Sequence, residues 1–488
     1  MSIRSERRKL NKTRKKINKR RLINKDILRI SIFFVVLFFA LMVYMGYFLT
    51  FQAGSVINNT YNKRSDAFKK TVERGTIYDS AGNILAETQT DENGKETRVY
   101  PYGNTFAQVV GFEANGGLGL ESSYNYYLLT SHVNMFEKIS NEFNGKKNPG
   151  DAIHTTLRTD LQQYISELFG NTMGGCIVMD PETGEIYADV SKPDFDPNTV
   201  EQNWKEIIAD EEGSPLLNRV TQGKYTPGST FKIFTLLEYL REDPKAREFS
   251  YQCEGTIKGP NYEFSCVDRT VHGQENLTSA FANSCNCAFA NMALLLDIDL
   301  FRKNNETLLF NTDVDVDIAY NQADFVLDKT SSDFMIMQTG FGQGETYTNP
   351  LHLSLVMSAF ANEGVLMKPH FVSQVTSNNG TIVKKFGNKK YLTLCSEKEA
   401  EEMNQYLRAV VTDGTASNLN GRNYTAYGKT GTAETRSDKN ENIDRSWFVG
   451  YGELNGKKAV VCVIVDNMNE APMAAVDYAG YVLDYYFQ

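Results

Sequence analysis

The 488-residue chain has no internal repeat and no low-complexity tail, so neither a solenoid nor a disordered array accounts for its length. It has seven cysteines, Cys176, Cys253, Cys266, Cys285, Cys287, Cys395 and Cys462, but no C-x-x-C that pairs with a second one. That gives zinc little support, and the odd count leaves at least one thiol unpaired. Cys253 and Cys266 flank a Gly-Pro-Asn turn and read either as a hairpin disulfide or as two free buried thiols. Charge is missing altogether from residues 30–51, "ISIFFVVLFFALMVYMGYFLTF", and no A-x-A site follows them. A cleaved signal peptide is therefore disfavoured, because both the basic and the apolar parts are too long.

What stands in that stretch is 22 mostly apolar residues, enough to span a bilayer as a helix. Apolarity all round argues against a core helix with one polar face. Residues 1–29 carry thirteen Lys/Arg and two acids, leaving 38 basic and 58 acidic residues, a net of −20, for the rest. A basic arm alone suggests nucleic acid. Next to an apolar span it instead predicts a cytoplasmic tail (1–29), a single-pass signal anchor (30–51) and some 430 residues outside the cell. The length allows two or three domains, and 41% hydrophobic with 23% charged residues is ordinary globular composition.

"RGTIYDSAGNILA" (74–86) reads as a β-hairpin around Asp79–Asn83, and 87–98 as a polar loop. Residues 99–150 are Gly/Asn-rich with little helical period, and "NGKKNPGD" marks a boundary. From 151 the pattern changes. "TLRTDLQQYISELF" (156–169) is an amphipathic helix, and "GCIVMDPETGEIYADV" (175–190) a hairpin. "YTAYGKTGTAET" and "SWFVGYGELNGKKAVVCVIVDN" read as strands, with Leu454-Asn-Gly456 as a turn, and "AAVDYAGYVLDYYF" as a closing helix. Strands, then helices, then strands predict a mixed sheet flanked by helices.

Three short motifs carry chemistry. In "YTPGSTFKIFT" (225–235) Ser229 and Lys232 are one helical turn apart, a hydroxyl beside an amine whose burial would lower its pKa. The bland alternative is a capping serine and a surface lysine. Downstream come Ser284-Cys285-Asn286, otherwise a helix start, and Lys429-Thr430-Gly431, otherwise a strand edge. S-x-x-K, S-x-N and K-T-G in this order are far more specific than any one of them.

With these motifs the chain resembles a class B penicillin-binding protein, a D,D-transpeptidase of peptidoglycan synthesis. The likeness extends to "RGTIYDSAGNILA" (Ser80 stands where an arginine is usual), "GLGLES", "HGQENLTSAFANSCN", "GFGQGE", "AFANEGV" and "WFVGY". The middle residue of the second motif is cysteine rather than aspartate. The resemblance implies a penicillin-binding/serine-β-lactamase-like fold at 151–488, a central antiparallel sheet flanked by helices plus an all-helical part. A β-rich pedestal at 52–150 would precede it. It implies Ser229 as nucleophile, Lys232 as base, Ser284 as proton relay and Asn286 as orienting residue. Lys429, Thr430 and Thr432 would bind the substrate carboxylate, Gly431 would let the ligand backbone approach the strand closely, and the N–H groups of Ser229 and Thr432 would form an oxyanion hole. Stem peptides would be substrates and β-lactams acylating agents, with neither metal nor cofactor. The implied partners are the membrane and a polytopic glycan-polymerising glycosyltransferase; a purely structural role for the 74–86 hairpin is an equal alternative. The rivals are a β-lactam sensor, a β-lactamase, a D,D-carboxypeptidase and a catalytically silent scaffold.

Overall fold

The structure, a computed structural model, describes residues 3–47, 68–259, 262–436 and 442–488. The chain divides into two compact units, Met1–Asn62 and Lys63–Gln488. In the first, helix α1 (Ile3–Tyr47) takes in the basic segment and the apolar one without a break. Its Ile27–Tyr47 part is long and apolar enough to cross a membrane, the one such helix among the described residues. Residues 48–51 of the expected span lie outside the described residues.

The second unit begins with strands β1 (Val72–Glu73), β2 (Ile77–Tyr78), β3 (Ile84–Thr90) and β4 (Glu96–Val99). The 74–86 hairpin is present as β2–β3, with Asp79 accepting from the backbone of Ala81 and Asn83 in the turn. The expected polar loop at 87–98 is instead mostly strand, since β3 and β4 pair antiparallel from Glu87/Val99 to Thr90/Glu96. A second surprise is helix α2 (Met135–Phe143), capped by the Asn134 side chain. Next come β5 (Asn148–Pro149), β6 (Ala152–Thr155) and α3 (Thr159–Phe169), the amphipathic helix without its first three expected residues. Strands β7 (Gly174–Met179) and β8 (Ile186–Lys192) form the expected hairpin.

A run of helices follows, of which α4 (Lys232–Glu242), α5 (Asn286–Ala293) and α6 (Pro350–Ala361) bear on the site. Strands β9 (Val372–Thr376) and β10 (Ile382–Lys385) then return to the first sheet, whose order is β10-β9-β6-β2-β3-β4. That sheet therefore joins strands from both sides of residue 150. Last come β11 (Thr425–Arg436), β12 (Asn442–Leu454), β13 (Lys457–Val465) and α7 (Ala475–Tyr486).

The second sheet is antiparallel throughout, in the order β11-β12-β13-β7-β8. β12 and β13 are joined at Asn455 and Gly456, both with positive φ (53° and 78°), as a tight hairpin requires. β13 is buried from Ala459 to Val465, on both alternating sets of side chains, so this sheet is covered on both faces. Helices α6 and α7 supply cover on it, and α3 packs on β8. The edge strand β11 is left to face the turn that carries Ser229.

The two quoted stretches of the first region explain each other. Arg74, from the hairpin motif, donates through Nε to Glu121 of "GLGLES" at 2.6 Å. Arg98 of β4 donates to the other carboxylate oxygen at 2.7 Å. Glu121 is fully buried, so the stretches meet as a charge cluster inside the fold.

Candidate active site

Pro227 and Gly228 turn the chain into a short 3-10 turn, Gly228–Phe231, that runs straight into α4. Gly228 has φ +55°, and a Cβ there would lie 2.5 Å from the carbonyl oxygen of Thr432 on β11. A Cβ on Gly342, from "GFGQGE", would lie 1.7 Å from the Gly228 oxygen. Two glycines thus let β11 and the 340–345 loop close onto the serine turn from both sides. Gly431 is pressed there as well, its notional Cβ 3.1 Å from the Thr230 nitrogen.

Ser229 stays half-buried on this turn, while Lys232 and Lys429 are fully buried. Lys232 Nζ lies 3.0 Å from Ser229 Oγ, 3.1 Å from Ser284 Oγ, 2.6 Å from the Ser284 carbonyl and 2.7 Å from Asn286 Oδ1. The two carbonyl oxygens can only accept. A neutral amine gives both its hydrogens to them and keeps its lone pair for a hydroxyl proton. Burial pushes the Lys232 pKa down to about 7, partly opposed by the nearby cysteines. The amine is then available as a base near neutral pH.

Lys429 Nζ donates to Ser284 Oγ at 3.0 Å, so Ser284 stands between two buried lysines. Burial, and then the charge of Lys232, hold Lys429 well below its ordinary value. An anionic ligand beside Lys429 would favour its charged form. Ser284 itself adopts φ +57°, an uncommon conformation for serine. It permits the sharp step from the preceding helix, with Ser284 N–H bonded to Phe281 O, into α5, where Cys285 is the N-cap. Phe289 and Phe281 lie under the ammonium positions of Lys232 and Lys429, each 5.5 Å from the ring centre.

On β11, Thr430 Oγ1 shares a hydrogen bond with Thr415 Oγ1, and Thr432 is exposed. The indole of Trp447 on β12 donates to the Thr226 carbonyl at 3.1 Å, tying "WFVGY" to the approach of the serine turn. The eight residues singled out from the sequence are all brought to one place. Ser229, Lys232, Ser284, Asn286 and Lys429 form one hydrogen-bonded group, with Thr430, Gly431 and Thr432 along its edge. Sequence reasoning missed Thr415, for which no motif gives a signal, and the aromatic floor. It also missed the gathering of cysteines behind Asn286. Cys253 and Cys266 are unbonded, with their sulfurs 3.7 Å apart.

The chain is similar in sequence and fold to known proteins. Residues 174–481 match the penicillin binding protein transpeptidase domain, and residues 74–153 the penicillin binding protein A dimerisation domain. The chain belongs to the penicillin-binding protein transpeptidase family. Penicillin-binding protein 3 of Bacillus subtilis is 26% identical over 462 residues, covering 83% of this chain and 67% of that one. The peptidoglycan D,D-transpeptidase PbpA of Mycolicibacterium smegmatis is 25% identical over 478 residues, covering 91% and 94%. Among solved structures, a D,D-transpeptidase domain from Eggerthella lenta superposes with TM-score 0.77 at 26% identity, covering 86% of this chain and 98% of that one. The penicillin G acyl-enzyme complex of penicillin-binding protein A from Mycobacterium tuberculosis gives 0.76 at 22% identity, with coverage of 86% and 100%. The mixed α/β transpeptidase fold is that of the family.

Proposed function

We propose that this penicillin-binding protein is a peptidoglycan D,D-transpeptidase acting through an acyl-enzyme on Ser229. The observation that carries the reading is the buried Lys232 amine, 3.0 Å from Ser229 Oγ, with its other neighbours being acceptors or Ser284 Oγ. Lys232 takes the Ser229 proton as Oγ attacks the carbonyl between two terminal D-alanines of a stem peptide. The backbone N–H groups of Ser229 and Thr432 receive the developing oxyanion, as the approach of β11 to the Gly228 turn favours. Ser284, between the two lysines, passes a proton to the departing D-alanine. Asn286 orients Lys232 and the substrate amide. Lys429, Thr430 and Thr432 hold the terminal carboxylate, and Gly431 lets the ligand lie close to the strand. An amine of a second stem peptide then takes the acyl group, and β-lactams acylate the same oxygen.

Residues 52–150 serve as a pedestal for the catalytic part, 151–488, and as a surface for a polytopic glycosyltransferase in the same membrane. The thirteen Lys/Arg of residues 1–29 support a cytoplasmic tail, a membrane span in the apolar part of α1 and a catalytic part outside the cell. Incubation with a stem peptide ending in D-alanyl-D-alanine and an excess of acceptor amine is expected to give crosslinked product. Release of D-alanine to water alone would make the protein a carboxypeptidase, and no turnover would make it a silent binder.

A further inference from the structure

Directly behind the second motif, Cys253, Cys266, His272 and Cys285 place one ligand atom each within 4.8 Å of one another. It is the one such group among the described residues. The three cysteines are buried and His272 is half-buried. Three of the ligands come from separate places: the end of strand Ser250–Cys253, the residue after Glu263–Ser265, and the residue before Gly273–Asn276. The fourth is the middle residue of Ser284-Cys285-Asn286.

The sulfur spacings are too long for a formed disulfide and suit a tetrahedral ion. A tetrahedral ion with Zn–S bonds of about 2.3 Å holds its sulfurs about 3.8 Å apart, whereas a disulfide brings them to about 2.0 Å. Cys253–Cys266 and Cys266–Cys285 are both 3.7 Å, and Cys253 Sγ is 3.5 Å from His272 Nδ1. Cys266 is central, with Cys287 Sγ also 3.6 Å away. A disulfide would use two of these thiols and leave the others without a role. Backbone N–H groups of Gly255 and Ala288 each point at a ligand sulfur, Cys253 and Cys285, at 3.4 Å. Such donors orient thiolates around a metal.

We propose that Cys253, Cys266, His272 and Cys285 bind one zinc ion in a closed tetrahedral site that fixes the second catalytic motif. The low expectation for zinc drawn from the sequence came from the missing C-x-x-C pairs. The fold supplies instead ligands 13, 6 and 13 residues apart. Four protein ligands leave no open position, so the ion positions and does not catalyse. It acts through Asn286, which is held twice. Asn286 follows the ligand Cys285 in the chain, and its Nδ2 donates at 2.9 Å to the carbonyl of Ser265, the neighbour of the ligand Cys266. Asn286 Oδ1 and the Ser284 carbonyl are the two acceptors that set the direction of the Lys232 lone pair. The zinc ligands are thus positioning residues for the base.

The test is metal analysis of the full-length protein, purified in detergent with a reductant and then exchanged into chelator-free buffer. We expect about one zinc per chain, retained in Cys395→Ser and lost in His272→Ala. His272→Cys, which restores a ligand, is expected to keep the metal and the acylation rate. Cobalt in place of zinc should show the visible bands of a tetrahedral thiolate complex. Folded His272→Ala protein should acylate about 10–100-fold more slowly, the usual penalty for disturbing such support. Its pH profile should be altered, and added zinc should not restore it. Where that variant does not fold, stripping the wild type with a strong chelator and re-adding zinc gives the same comparison. Wild-type protein with no zinc, no cobalt spectrum, or a mass lower by two hydrogens from a Cys253–Cys266 disulfide would overturn the proposal.

Discussion

Lys232→Ala is expected to slow acylation of Ser229 by penicillin about 10²–10⁴-fold, the usual contribution of a positioned general base. The chain should remain folded by circular dichroism. In the wild type, Lys232 Nζ lies 3.0 Å from Ser229 Oγ, within reach of its proton. Removing the amine leaves the hydroxyl to react at its own pKa. The same amine sets a pH dependence with a defined sign. Burial lowers its pKa to about 7, so it is an ammonium below that and a base above. The acylation rate should rise with pH through a midpoint near 7, and this limb should be missing from Lys232→Ala. Rapid-quench labelling between mildly acidic and mildly alkaline pH measures both effects. An unchanged rate in the variant would remove Lys232 from the chemistry.

Glu121→Ala should have the largest effect on stability, a loss of about 3–5 kcal/mol, because one partner of a buried charge group disappears. Arg74 and Arg98 both point their Nε at this carboxylate, and both side chains are 5% exposed. Without Glu121, the buried Arg98 loses its carboxylate partner and Arg74 is left with Glu113 alone, at 3.7 Å. Burial opposes the ionised carboxyl, but the two arginines outweigh it and hold its pKa below the ordinary 4.5. A carboxylate with a depressed folded pKa contributes stability above its unfolded value and loses it as pH falls through the folded one. Urea unfolding should therefore show the gap between wild type and Glu121→Ala constant from neutral pH down to about the ordinary carboxyl range, then narrowing in stronger acid. A gap below 1 kcal/mol, or one independent of pH in acid, would contradict this reading.

That cluster bears on what the sequence could reveal. "RGTIYDSAGNILA" and "GLGLES" stood out separately, yet nothing in either says that Arg74 seeks Glu121, 47 residues on. Their meeting gives Arg74 of the hairpin a partner inside the fold. The catalytic residues were easier, because i, i+3 spacing on one turn and the order of three motifs are local facts. The pairing of 87–90 with 96–99 was missed because the side chain that β4 buries most deeply is the charged Arg98, so "ETRV" has no apolar alternation. A signal for α2 was present in Asn134-Met-Phe-Glu137, where the Asn134 side chain caps the Glu137 N–H. The glycine- and asparagine-rich surroundings hid it, and so did its apolar face. Phe136 and Phe143 are 87% and 91% exposed, so the face contributes nothing to the core. The cysteine group was illegible for a different reason. Its four ligands are spread over 33 residues and converge only when the hairpin and α5 are packed.

The central claim, that Ser229 carries the acyl group, is tested most directly by locating the adduct. Full-length protein would be incubated with penicillin, denatured, digested with trypsin and mapped by mass spectrometry. Cleavage after Lys224 and Lys232 isolates Ser229 in the peptide Tyr225–Lys232. The account predicts one penicilloyl group on that peptide, at Ser229, and none on the Ser229→Ala protein. An adduct at Ser284 or elsewhere, or equal labelling of Ser229→Ala, would contradict it.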